Sequence, residues 1–293
     1  AKKALNGIFV MKEDEVEPVS AFYGNASISY GLAHLGLIWD DDELIQKAYE
    51  YLYKVENTLE SDKQLDLLGG AAGALLVSLR LNKLDPHSRA LEIAEKCGEH
   101  LLQHVQLEKK GENASKLLTG LSHGAAGYAW AWLELADATG QERFLEAGRK
   151  ALAYEKSHFI ESKGNWADLR DEEKKGSSSV YWCHGAPGIG LSRLMILNYF
   201  EDPDIYEEWQ IAVRKTLESG FGHGHSLCHG DFGNLDFLLS SAKRMKDREL
   251  EKKVLEIGYQ SMQQGITQGW QFGLHKQAEL IGFMLELCSI NHN

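Results

Sequence analysis

Apolar residues recur along the chain in two alternating textures. The first keeps a helical period against a charged opposite face: Leu44, Ile45, Ala48, Tyr49 and Leu52; Leu91, Ala94 and Leu101; Phe144, Leu145, Ala151 and Leu152; Ile205, Trp209, Val213 and Leu217; Val254, Leu255, Gly258, Tyr259 and Met262. This spacing predicts half-exposed amphipathic helices. The second is a nearly unbroken apolar stretch, at Ile28 to Ile38, Ala74 to Leu81, Tyr128 to Leu135, Ile189 to Leu197 and Leu235 to Leu239. It predicts helices buried on every side.

A small-residue turn precedes each apolar stretch: Gly24-Asn-Ala-Ser27, Gly70-Ala-Ala-Gly73, Gly124-Ala-Ala-Gly127, Gly185-Ala-Pro-Gly188 and Gly230-Asp-Phe-Gly233. Their first glycines stand 46, 54, 61 and 45 residues apart, a period that signals a repeat architecture. A degenerate sixth copy, Gln277-Ala-Glu-Leu280 ahead of Ile281 to Leu287, follows at a spacing of 47, with His275 and Lys276 just before it and both glycines lost. Residues 8–18 read as the tail of a truncated first repeat, which makes 1–20 a remnant of it.

Apolar and amphipathic helices in alternation are both satisfied when the apolar ones form an inner layer and the amphipathic ones face water outside. The expected fold is therefore all-α, a double ring of helical hairpins (an α/α toroid) lacking its first hairpin, with 1–293 as one domain. Glycine at the start of each inner helix lets backbones approach closely, and it is expected to leave the first N–H groups open toward the centre.

Composition narrows the function. The 293 residues are 43% apolar and 25% charged, with only four prolines, which excludes disorder and favours long helices. A formal charge of -12, from 31 basic and 43 acidic residues, repels phosphate backbones and anionic lipids, so nucleic acid is not an expected partner. No stretch has the length of a membrane span and Ala1 to Ala4 lacks a signal-peptide core, so no transmembrane segment and a cytoplasmic location are expected.

Four cysteines, Cys97, Cys183, Cys228 and Cys288, lie far apart in a chain without export signals, which suits reduced thiols or metal ligands better than disulfides. Cys97 and Cys288 sit on apolar faces and are assigned to the core. The other two begin Cys183-His184-Gly185 and Cys228-His229-Gly230, tripeptides 45 residues apart in equivalent turns. Thiolate and imidazole are donors that zinc prefers. Four donors would close a structural tetrahedron and three would leave a corner for substrate; spacing leaves both open. Asp66, four residues ahead of Gly70, and His123, next to Gly124, occupy neighbouring positions of the repeat.

The chain resembles the lanthionine synthetase C-like cyclases, and in detail the carboxy-terminal cyclase domain of class II lanthipeptide synthetases. The resemblance rests on Ser122-His123-Gly124-Ala125-Ala126-Gly127, Tyr154-Glu155, Gly164-Asn165-Trp166-Ala167-Asp168-Leu169-Arg170, Trp182-Cys183-His184-Gly185-Ala186-Pro187-Gly188 and Ser226-Leu227-Cys228-His229-Gly230-Asp231-Phe232-Gly233-Asn234. It implies an α/α toroid holding one zinc ion per chain on Cys183, Cys228 and His229, with His184 as a neighbour. It also implies an active-site histidine at His123 and an aspartate at Asp66 that orients it or stabilises its charge. Trp182, His184, Asn165, Asp168 and Arg170 are candidates to bind peptide or support the ligands.

The reaction so implied is addition of a peptide cysteine thiolate to dehydroalanine or dehydrobutyrine, closing a (methyl)lanthionine ring in a dehydrated precursor peptide. The expected partner for dehydration is an N-terminal dehydratase domain missing from this chain, which is expected to cyclise and not to dehydrate. Three other functions compete. One is a protein that binds or adds glutathione or another small thiol on the same zinc; another is a non-catalytic helical ring with a structural zinc closed by His184. The third, an α/α-ring glycosidase, would use paired carboxylates such as Asp66 and Asp168 but would not need the cysteine turns.

Overall fold

The computed structural model of the chain describes residues 16–107, 117–170 and 176–271. Among the described residues, ten α-helices alternate as predicted: α1 Asn25–Trp39, α2 Asp42–Thr58, α3 Ala71–Leu84, α4 Ala90–His104, α5 Ala125–Thr139, α6 Glu142–Lys156, α7 Ala186–Ile196, α8 Pro203–Ser219, α9 Asp231–Met245 and α10 Arg248–Gln268. Strands β1 (Phe159–Ile160) and β2 (Asn165–Trp166) pair antiparallel between α6 and α7. The sixth turn, Gln277 to Leu287, together with Cys288 and the start of the expected first remnant lies outside the described residues.

Residues 1–110 with 127–150 form one compact unit, and 111–126 with 151–293 form a second. In the first, α1 pairs with α2 and α3 with α4, while α1 also packs on α3 and α2 on α4. In the second, α7 pairs with α8 and α9 with α10, and α7 packs on α9. Odd-numbered helices thus touch odd-numbered ones and form the inner layer of each unit. The burial follows the two sequence textures in α3, which buries ten of its fourteen residues, and in α2, which buries four of seventeen; α1 departs from the expectation of burial on every side, since it buries seven of fifteen and leaves Leu37 and Ile38 exposed. Cys97 is fully buried on α4, in the core as expected.

Helix starts differ between the layers for a physical reason. Outer helices α2, α8 and α10 begin at water-facing ends, where Asp41, Asp202 and Asp247 each accept two backbone N–H bonds, a cap contributing about 1 kcal/mol. Inner helices begin in the interior after a glycine, and here the sequence expectation of open N–H groups is corrected. Asn25, Ala72, Ala125 and Asp231 donate instead to the carbonyls of Glu17, Leu65, Leu118 and Gly224, at 2.8–3.0 Å. A buried N–H must find a partner, and the loop folds back to supply one. The glycines make room for that fold: a Cβ on Gly73, Gly188 or Gly233 would lie 2.1 Å or less from the carbonyl oxygen of Leu67, Trp182 or Leu227.

The last described helix departs from its predicted face. Among the described residues, α10 buries Leu250, Val254, Ser261 and Gly265, and Leu255, Tyr259 and Met262 are exposed. The buried line is the one turned toward α9, where Gly258 approaches Leu235.

Candidate metal centre

Both Cys-His-Gly tripeptides fall in the folded-back turns of the second unit, one before α7 and one before α9. The Cys183 N–H donates to the Cys228 carbonyl at 3.4 Å, so the two turns are joined through their backbones. That junction brings the side chains together. The Cys183 Sγ lies 3.2 Å from His229 Nε2, and one donor atom each from Cys183, His184 and His229 lie within 4.8 Å of one another. Cys228, one of the expected ligands, is not among the donors of this trio; it is tied to it through its carbonyl, which accepts from the Cys183 thiol at 3.1 Å.

The electrostatics of the cluster suit a cation. The neighbouring Cys228 side chain, reinforced by burial, pushes the Cys183 thiol up. The proximity of Cys183, and then of His229, pulls the Cys228 thiol down. A thiolate held beside a second buried thiol is stabilised by a positive ion. Burial first, then the Arg170 charge, pushes His184 down to about 4, so its ring is neutral at pH 7 with a lone pair available. Two thiols and two imidazoles are a donor set that fits zinc. Cys183 and His184 are buried whereas His229 is exposed, which gives the cluster one face toward solvent.

His123 sits in the turn before α5, and its ring centroid is 5.9 Å from that of His184, which in turn is 6.2 Å from that of His229. The His123 turn is fastened to the first ligand turn: Leu121 and Ser122 both donate their N–H groups to the Cys183 carbonyl at 3.2 Å. Gly120, at φ +100°, permits this, because a Cβ there would lie 2.9 Å from the same carbonyl.

Asn165, Asp168 and Arg170 support the loop ahead of the first ligand turn. Asn165, fully buried, donates to the Ser179 carbonyl at 2.9 Å and accepts from the Trp166 N–H. Asp168 takes two side-chain bonds from Arg170, at 2.6 and 2.9 Å, and one from the Ser179 hydroxyl at 2.7 Å. Those bonds, Arg170 foremost, hold its carboxyl well below the usual carboxylate range. A carboxylate so committed is poorly placed to act as a glycosidase acid. Trp182 is buried behind Cys183, its Cβ against the face left bare by Gly233.

Asp66 belongs to the first unit, where it is buried and accepts the N–H groups of Leu68 and Gly69 at 3.0 and 2.8 Å, shaping the turn before α3. Tyr181 is a neighbour that sequence reasoning missed: its ring lies 5.5 Å from His229 and 5.4 Å from His223. Its position two residues before Cys183 is its only signal in the sequence.

The family described as lanthionine synthetase C-like protein matches residues 1–285. Lacticin 481/lactococcin biosynthesis protein LcnDR2 of Lactococcus lactis subsp. lactis is 24% identical over 249 residues, covering 81% of this chain and 25% of that protein. The chain thus spans about a quarter of the length of this curated relative. Among solved structures, nisin cyclase aligns with a TM-score of 0.69 at 20% identity, covering 89% of this chain and 75% of that one. A glycosyl hydrolase family 88 protein from Bacteroides vulgatus aligns with a TM-score of 0.56 at 13% identity, covering 88% and 82%. At such identities these likenesses show the fold alone: all-α, in the α/α-toroid class expected from the glycine-spaced hairpins.

Proposed function

Because the chain belongs to the lanthionine synthetase C-like family, we propose that it is a zinc-dependent cyclase that closes thioether rings in a dehydrated peptide. The observation that carries this reading is the meeting of Cys183, His184 and His229, with the Cys228 carbonyl accepting from the Cys183 thiol, from turns 45 residues apart in the chain. The names of its relatives, a lacticin 481 biosynthesis protein and a nisin cyclase, point to the same class of product.

Cys183, Cys228 and His229 are the proposed ligands, with His184 beside them and a fourth position free. A zinc ion held there would supply Lewis acidity, favouring the thiolate form of an incoming cysteine whose ordinary pKa is near 8.5. The chain's residues do the rest. His229, on the exposed side, lies where a peptide would approach. As the sulfur bonds to the β-carbon, the double-bond electrons move toward the neighbouring carbonyl and a proton must reach the α-carbon. His123 is the proposed acid, since imidazole exchanges protons near neutral pH. The thiol proton lost and the proton gained at the α-carbon balance, so the ring closes without a change in mass. Asn165, Asp168 and Arg170 hold the loop ahead of the first ligand. The dehydro residues must already be present in the peptide.

The test is thiol counting by alkylation after incubation with a synthetic peptide bearing one cysteine and one dehydroalanine. The zinc-loaded chain is expected to consume the thiol, Cys183→Ala to lose both zinc and thiol consumption, and His184→Ala to keep its zinc. Undiminished consumption by Cys183→Ala would refute the assignment, and loss of zinc in His184→Ala would move His184 into the ligand set.

A further inference from the structure

Tyr154 and Glu155 form the last turn of α6 before Lys156, and nothing proposed so far uses them. Both reach the segment that leads to His123. The Tyr154 hydroxyl donates to the Leu117 carbonyl at 2.5 Å, and one Glu155 carboxyl oxygen accepts the Gly120 N–H at 3.0 Å. Two consecutive side chains therefore grip residues 117–120 at both ends. On its far side that segment runs directly into Leu121 and Ser122, whose N–H groups hold the Cys183 carbonyl. A third tie comes from Thr119, whose hydroxyl donates to the Ala167 carbonyl.

The cost of placing Glu155 there argues for more than packing. Its side chain is fully buried and its second carboxyl oxygen has no hydrogen-bond partner. Behind it lies Arg193, also fully buried, paired through Nε with Glu208 at 2.8 Å while its two terminal nitrogens make no hydrogen bond. An apolar side chain of similar volume at position 155 would avoid burying an ionisable group. It would also leave the Gly120 N–H in the interior without an acceptor.

We infer that Tyr154 and Glu155 are positioning residues: together they fix the 117–125 turn, and through it place His123 and the Cys183 carbonyl in one rigid arrangement. This rests on the reading of His123 as the proton donor and Cys183 as a metal ligand. The acceptor oxygen of Glu155 is the part that matters, so Gln can replace it and Ala cannot. An error of about 1 Å in such a frame costs on the order of a hundredfold in rate.

The experiment uses the full chain loaded with cobalt(II), read by its visible absorption, and the zinc-loaded chain, read by thiol consumption from the cysteine–dehydroalanine peptide. Glu155→Ala is expected to shift the cobalt bands and to slow thiol consumption by about a hundredfold, and Glu155→Gln to keep the parent spectrum and a rate within about threefold. Tyr154→Phe, which removes one hydroxyl only, is expected to slow the reaction by about tenfold and serves if Glu155→Ala does not fold. Parent-like spectra and rates in Glu155→Ala, or in Tyr154→Phe where it stands in, would overturn the inference, as would Gln proving as damaging as Ala. A parent chain that binds no cobalt and consumes no thiol would instead sink the cyclase reading itself.

Discussion

His184 and His229 follow the two cysteines in the same way, yet one is buried and the other exposed, and their chemistry diverges accordingly. A buried ring loses its proton easily, which suits the proposed role of His184 as a neutral neighbour, whereas His229 stands open to solvent. Glu155 shows the same rule on a carboxyl group. Burial pushes it from an ordinary 4.5 to about 7, against the opposing pull of Arg193 and the Gly120 N–H. Between those values the folded chain holds a proton that the unfolded chain has released, so this contribution to stability is complete below about pH 4.5 and lost as the pH rises to about 7. Glu155→Gln does not titrate, and its unfolding free energy relative to the parent should rise across that window by on the order of 3 kcal/mol. Urea melts of the two proteins with equal pH slopes would contradict this. The cysteine and histidine pairs were readable from their repetition, whereas the grip of Glu155 on Gly120 was not. It joins residues 35 apart through one side-chain oxygen, and no periodicity marks such a bond.

At the scale of elements, glycine has two distinct uses that a composition count merges. Gly188 opens α7, and a Cβ there would lie 1.9 Å from the Trp182 carbonyl; Gly31 lies inside α1 with nothing within 4 Å of the same point. Gly188→Ala should destabilise by about 1–3 kcal/mol, because backbone cannot yield as a side chain tip would. Gly31→Ala should stabilise by about 0.5–1 kcal/mol through helix propensity alone. Thermal melts showing the two substitutions to be equivalent would remove the close-approach explanation of the repeat. The alternation of helices was legible because an all-apolar stretch and a one-sided one differ in periodicity. Which carbonyl each inner helix start bonds was not, since that depends on a loop folding back over seven or eight residues. The α10 face at Leu255, Tyr259 and Met262 differs from its spacing for a related reason: helical periodicity gives the apolar stripe, and the neighbouring helix α9 selects which side is covered.

For the molecule as a whole, the fold does not choose the chemistry. The α/α class is shared with a glycosyl hydrolase family 88 protein and with nisin cyclase, so the chemistry has to be argued from the pair of Cys-His-Gly turns that converge in one unit. No helix among the described residues is long and apolar enough to cross a membrane. The most direct measurement is X-ray absorption at the zinc edge, on the loaded chain before and after addition of a cysteine-containing peptide. Two sulfur neighbours, from Cys183 and Cys228, should become three when the peptide is present, with the His229 nitrogen retained. A shell that is already complete with His184 and does not change with peptide would contradict the proposed open corner.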